Sequence, residues 1–204
     1  MSTEAKSAQQ AAAMDTLPIK PPGGFSVDDV PHDTVRQIGL LIGWWGYLQM
    51  QLGVVIREAI KVKRDTGRVI TIGRDISVAT LCDMIRHLVA SDRWIQDATL
   101  RADADILRKA VLKATSNRND YAHGVFGTDD EKPGVFVRHL LKDPVHKTSP
   151  GTEEITAESV GKLVQEARLL WLRAQDITQR LKGRKPIIPR SYHEAPKNQK
   201  VKLT

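Results

Sequence analysis

The sequence predicts an all-α protein, a four-helix up-and-down bundle with a small β-hairpin inserted between the third and fourth helices. Three observations lead there. Four stretches repeat apolar residues at steps of three and four, the period of a helix with one buried face. Polar caps and glycines bound those stretches where helices start and stop. One short run, Val135 to Leu141, is β-prone instead.

The first helix is predicted over about Asp33 to Lys63. Its apolar face is Ile38, Leu41, Ile42, Trp45, Leu48, Leu52, Val55, Ile56 and Ala59. Such a helix is ~45 Å long. Gly39, Gly43, Gly46 and Gly53 form a second row at similar spacing. Each interior glycine costs roughly 1 kcal/mol relative to alanine, so the row calls for close approach by another helix. That helix belongs either to the same chain or to a second copy. Asp65-Thr66-Gly67 marks the exit, and Arg68 to Ile76 reads as either a short strand or an extended linker.

Ser77 is a suitable N-cap for a second helix over about 78–90, with Val78, Leu81, Cys82, Ile85 and Leu88 inward. Trp94 and Ile95 fall in a connection. The third helix is predicted over about 103–123. Asp103 or Asp105 in its first turn complements the dipole, Ala104, Leu107, Ala110, Val111 and Ala114 face inward, and Gly124 supplies the stop. Gly127 to Gly134 reads as an acidic turn-rich loop. Residues 135–141 then pair with the region around 149–155. Thr156 caps a fourth helix over about 157–182, striped by Val160, Leu163, Val164, Ala167, Leu170, Trp171, Ala174, Ile177 and Leu181, and ended by Gly183.

Three segments follow: a flexible N-terminal tail at 1–30, the helical domain at 31–182, and a basic C-terminal tail at 183–204. The 204 residues suit one domain with tails. The net charge of +7 favours a polyanionic partner. Much of that excess lies after residue 181, where five Lys and two Arg stand against one Glu, so solubility accounts for it equally well. The single cysteine, Cys82, excludes an intrachain disulfide and a cysteine-based zinc site, and it reads as a small core residue. Asp129, Asp130 and Glu131 read as a solvated turn, and His139 and His146 lack metal partners, so no metal or cofactor is expected. No stretch approaches the ~20 apolar residues that span a bilayer. No membrane contact is expected, and the location is read as cytoplasmic.

The chemistry-bearing feature is Arg118-Asn119-Asp120-Tyr121-Ala122-His123 at the end of the third helix. It is the only place where an Arg precedes a His by four to six residues. Arg offers a permanent cation with a forked set of donors, and His exchanges a proton near neutral pH. On an ideal helix Arg118 and His123 stand ~140° apart, whereas Asn119 and His123 share a face. A two-fold dimer would bring Arg118 of one copy towards His123 of the other. The helix-end dipole favours the imidazolium form of His123.

The arrangement resembles the HEPN superfamily of helical-bundle proteins, in which an Arg, a polar residue after it and a His four to six positions on form the motif. Arg118, Asn119 and His123 match in place, and the helix order is similar over residues 33–182. The resemblance implies a metal-independent endoribonuclease acting in defence or as a toxin, or a non-catalytic RNA- or protein-binding relative. It also implies a homodimer, and it makes an antitoxin-like protein a candidate partner. One departure is Val125, at the position where the subgroup paired with nucleotidyltransferase antitoxins carries Tyr. In the catalytic reading the RNA 2′-hydroxyl attacks the adjacent phosphate. His123 is then general base or acid, Arg118 stabilises transition-state charge, and Asn119 orients His123 or binds a phosphate oxygen. Secondary RNA contacts are assigned to Trp44, Arg86 and His87. Core or interface packing for Trp44, and a solvent-side position for Arg86 and His87, are the plainer readings.

Overall fold

The computed structural model describes residues 31–61, 76–123, 125–128, 135–140 and 151–193. The tails and linkers expected at 1–30, around 65–75 and after 193, the stop at Gly124 and the acidic turn at 129–134 lie outside them. The described residues form four helices: α1 (His32–Ile60), α2 (Val78–Val89), α3 (Ala98–His123) and α4 (Ala157–Leu181). Three short strands, β1 (Val125–Thr128), β2 (Phe136–Leu140) and β3 (Gly151–Glu154), precede α4. The chain divides into a helical unit, His32–Val125 with Ile155–Thr204, and a second unit comprising Met1–Pro31 and Phe126–Glu154.

Local chemistry sets the helix starts. Ser77 caps α2 by accepting from the Thr80 amide at 3.1 Å. Thr156 and Ser159 exchange side-chain and backbone bonds in a capping box at the start of α4. α3 begins five residues before the position expected from sequence. Asp97 is its cap, with Oδ1 accepting from the amides of Thr99 at 2.8 Å and Leu100 at 3.1 Å. Asp103 therefore sits more than a turn inside the helix. It is buried and bonds Arg180 Nη1 of α4 at 2.6 Å rather than serving the dipole.

The core joins one stripe from each helix: Leu41, Trp45, Leu48, Leu52 and Ile56; Leu81, Cys82 and Ile85; Leu107, Val111 and Ala114; Val160, Val164, Leu170 and Ile177. Ile42, assigned to the inner face of α1, is 45% exposed. Burial holds the Cys82 thiol up at about 11, so it stays protonated and packs as a small apolar group.

The up-and-down order expected from sequence is not the order found. α1 and α4 run parallel: Gly161 lies by Gln37, Trp44 by Trp171, Gln51 by Thr178 and Glu58 by Lys182. α2 ascends with them, since the Ile76 carbonyl just before it accepts from Gln49, while the α2–α3 connection reaches the far end of α1 at Lys61. Only α3 descends, with Arg108 opposite Cys82 and Asp103 opposite Arg180. Connection length is the reason. α2 and α3 are joined by a short turn that forces reversal. The separation between Ile60 and Val78 is long enough in residues for α2 to start level with Gln49.

The expected C-terminal tail is also altered. Gly183, at φ +70°, ends α4 with its amide on the Arg180 carbonyl and the Arg184 amide on the Gln179 carbonyl. This left-handed turn sends 184–193 back onto α4. There His193 is buried against Asp176, with Nε2 and Oδ2 2.9 Å apart.

In the second unit the strand order is β1-β2-β3, and β2 pairs antiparallel with β3 in the register Val137 with Glu154 and His139 with Thr152. The hairpin is thus present. Gly127 and Thr128, read as loop, instead lie in β1. Phe126 stacks on Phe136 at 5.7 Å, and Arg138 pairs with Glu153.

Candidate functional site

The inner stripe of α3 runs Leu100, Ala104, Leu107, Val111 and Ala114, all buried, and its next members are Arg118 and Tyr121. A guanidinium thus occupies a position that three preceding turns fill with apolar side chains. Arg118 is half-buried. Its Nη1 donates to Asn119 Oδ1 at 3.2 Å. Its Nε is buried and has no hydrogen-bond partner among the described residues. No ion pair joins it to a described carboxylate. Burying an uncompensated cation is costly, and water or an anion at the helix end relieves that cost.

Asn119 is exposed beside it. His123 is the last residue of α3, so its backbone is placed five residues beyond Arg118, while its side chain lies outside what is described. The sequence pattern singled out Arg118 by its distance from a His. Its place on the inward stripe, at the same three- and four-residue steps as Leu107, Val111 and Ala114, is the stronger signal.

The secondary contacts are not gathered here. Arg86 and His87 are exposed on α2. Arg86 Nε bonds Asp83 at 3.0 Å, and Arg86 Nη2 lies 3.3 Å from His87 Nε2. Cys82, one turn before them, packs at the level of Arg108. Arg118 is ten residues further along α3 in the opposite sense, which separates the two groups by ~20 Å along the axis. Trp44 is half-buried and edge-on to Trp171 at 5.4 Å. Tyr47 stands at 5.9 Å and the Arg168 guanidinium at 5.8 Å. It packs between α1 and α4.

Arg118 lines neither of two concavities in the helical unit. One of about 360 Å³ lies where α1 and α4 end, bounded by Ile60, Lys61, Trp94, Leu100 and Leu181. A shallower one of about 730 Å³ lies between the first turns of α1 and α4, lined by Asp33, Gln37, Glu158 and Lys162. That is the same end of the bundle at which α3 finishes. Among the described residues no group of three or more His, Cys, Asp or Glu gathers to hold a metal ion.

Elsewhere in the bundle the charged groups are mostly paired. Partial burial pushes the Asp105 carboxyl up. Hydrogen bonds from Lys109 and Arg108, with their positive charge, outweigh this and hold it below the usual carboxylate range. Burial lowers the Arg173 guanidinium, with the charge of Glu166 opposing.

One helix bears on the sequence expectation that no apolar stretch is of membrane length. α1 is long and apolar enough, by composition alone, to cross a membrane. Between Arg36 and Arg57 it carries no charge. Part of that span forms the bundle core, and Gln51 inside it bonds Thr178 at 2.8 Å.

No protein-family model, curated protein or solved structure matches the chain.

Proposed function

We propose that this is a HEPN-like RNA-processing protein whose Arg118–Asn119–His123 end grips an RNA phosphate and cleaves the chain without a metal. The observation that carries the reading is the Arg118 guanidinium. It occupies a core-stripe position, has an unsatisfied Nε, and is matched by no described carboxylate. A phosphodiester supplies both the charge and the acceptors that such a group lacks.

The motif and its setting support this reading. The helix order does not, because three helices run parallel where an up-and-down bundle was expected. In the reaction the 2′-hydroxyl loses its proton and bonds to phosphorus, and the bond to the 5′-oxygen breaks. The leaving oxygen gains a proton, and a cyclic phosphate remains. His123 moves a proton in one or both of these steps. Arg118 neutralises charge on the equatorial oxygens, and Asn119 fixes the guanidinium from the side. DNA, lacking the attacking hydroxyl, is bound but not cut.

The test is incubation of single-stranded RNA with purified protein in EDTA. Cleavage that is lost in Arg118→Ala and in His123→Ala, with folding retained, supports the reading. Intact RNA that still binds in a salt-sensitive manner assigns the site to binding alone. Absence of both cleavage and binding ends the proposal.

A further inference from the structure

We propose that the cavity where α1 and α4 end is a binding site for a small aromatic carboxylate. It encloses about 360 Å³ between the end of α1, the α2–α3 connection, the first turn of α3 and the end of α4. Small-molecule sites span ~300–1,000 Å³, so this one suits a ligand of one or two rings. Arg118 does not line it, and the inference stands apart from the RNA reading.

The walls are fixed by bonds of their own. Ile95 and Leu100, 2% and 4% exposed, give the cavity an apolar floor. Arg101 Nη1 donates to the carbonyls of Ile95 at 2.6 Å and Gln96 at 3.1 Å, which holds the connection in place. Asp97 pins the far end of that connection as the cap of α3. A site held in this way loses little freedom when a ligand binds. Trp94 also lines the cavity and is 38% exposed, with the Arg93 guanidinium 4.9 Å from its ring centre. An exposed indole offers flat apolar area to a second aromatic ring, and a guanidinium beside it offers two parallel donors to a carboxylate.

Charge selects an anion. The lining carries the carboxylates of Glu58 and Asp97 and the cations of Lys61, Arg93 and Arg180. Both carboxylates are engaged: Glu58 accepts from Arg57 at 2.8 Å, and Asp97 from the amides of Thr99 and Leu100. Arg180 is matched by Asp103 at 2.6 Å. Lys61 and Arg93 make no ion pair with a described carboxylate. The unengaged charge is therefore positive. One carboxylate balances the excess of one cation in the lining, and a phosphate dianion overshoots it.

Lys61 gives an independent sign. Its φ is +55°, and it is the one described residue other than glycine in the left-handed region. A helix end of this kind favours glycine, which has no Cβ to clash there. A lysine at that position carries a backbone cost that glycine avoids, and such costs gather where a side chain serves a site. Here the side chain is a free ammonium at the rim of the cavity.

The test is a titration of the full chain, followed by two-dimensional amide NMR, with probes of one shape and different charge: indole-3-acetate, 3-methylindole and tryptamine. Indole-3-acetate is expected to shift the Trp94 indole N–H and the Ile95 and Leu100 amides saturably, with a dissociation constant of about 1 mM or tighter, as ligands of its size reach at ordinary efficiency. Tryptamine, the cation, binds at least about tenfold more weakly. Lys61→Gly combined with Arg93→Gln weakens indole-3-acetate at least about tenfold and leaves neutral 3-methylindole unchanged. Lys61→Gly alone has a melting temperature unchanged or higher, because glycine relieves the left-handed turn. Trp94→Ala weakens all the probes. Absence of saturable shifts at these groups up to about 5 mM indole-3-acetate overturns the inference. So does tryptamine binding as tightly as indole-3-acetate, or the double variant binding indole-3-acetate like wild type. Shifts at Trp44 or Trp171 in place of Trp94 put the ligand elsewhere and overturn it too.

Discussion

Asp176 and His193 are each 1% exposed and meet through Oδ2 and Nε2 at 2.9 Å. This contact ties the last described segment to the bundle. The other carboxylate oxygen of Asp176 accepts from the amides of Ile187 at 2.6 Å and Ile188 at 3.3 Å. Arg180 Nη1 approaches Oδ2 at 3.7 Å. A buried carboxylate near the C-terminal end of α4 is thus satisfied by the strap that the Gly183 turn folds over it.

Removing that carboxylate leaves three donors unpaired. Asp176→Ala is expected to cost about 3 kcal/mol or more, because each enclosed donor left without its acceptor costs about 1–3 kcal/mol. His193→Ala costs less, because the backbone amides still hold Asp176. Urea unfolding measures both. Hydrogen exchange at the Ile187 and Ile188 amides rises in Asp176→Ala well before global unfolding. Unchanged protection there would refute the strap.

The Asp103–Arg180 pair, at 2.6 Å and largely buried, joins the start of α3 to the end of α4. Asp103→Ala is expected to destabilise by about 3–5 kcal/mol. The exposed Glu158–Lys162 pair on α4 changes little when broken. Thermal denaturation of the two variants side by side tests the contrast.

Asp105 gives a pH dependence with a fixed sign. Its folded carboxyl titrates below the unfolded one, so its contribution is present above the unfolded value of ~3.9 and fades as pH falls through the lower folded value. Asp105→Asn is expected to lose about 0.5–1 kcal/mol at neutral pH, a modest figure because water screens the group. The difference between wild type and variant should close at the acid end of the profile. A gap that stays constant with pH would remove the electrostatic account.

Arg118 is expected to trade stability for activity. Arg118→Met keeps the stripe filled and deletes an unsatisfied buried donor, so stability rises by about 1 kcal/mol. RNA cleavage or binding is lost in the same variant. Arg118→Lys retains the charge but not the forked donors, and recovers binding better than turnover. Loss of stability in Arg118→Met would mark the residue as a structural element only.

How much was legible beforehand differs from element to element. Ser77 and Thr156 cap as their types predict, because a cap needs only a hydroxyl and the next three residues. The β2–β3 pairing was readable from β-prone residues near the right positions. The start of α3 was missed because Asp97 precedes a polar stretch, and the apolar period becomes visible only from Leu100 onward. β1 was missed because Gly127 and Thr128 carry turn chemistry, and their pairing with β2 lies outside their own neighbourhood.

Neighbouring residues along the chain are enough to set which faces are apolar, where most helices begin, and that an Arg and a His close α3. Those properties depend on residues within a turn or two of one another. That α1, α2 and α4 run in the same direction follows from how the helices pack. The packing also decides that Asp103 and Asp176 are buried with partners 77 and 17 residues away, and that the glycine row of α1 faces outward. Each of these depends on which helix occupies the adjoining groove, and the period of a single helix carries no information about its neighbour.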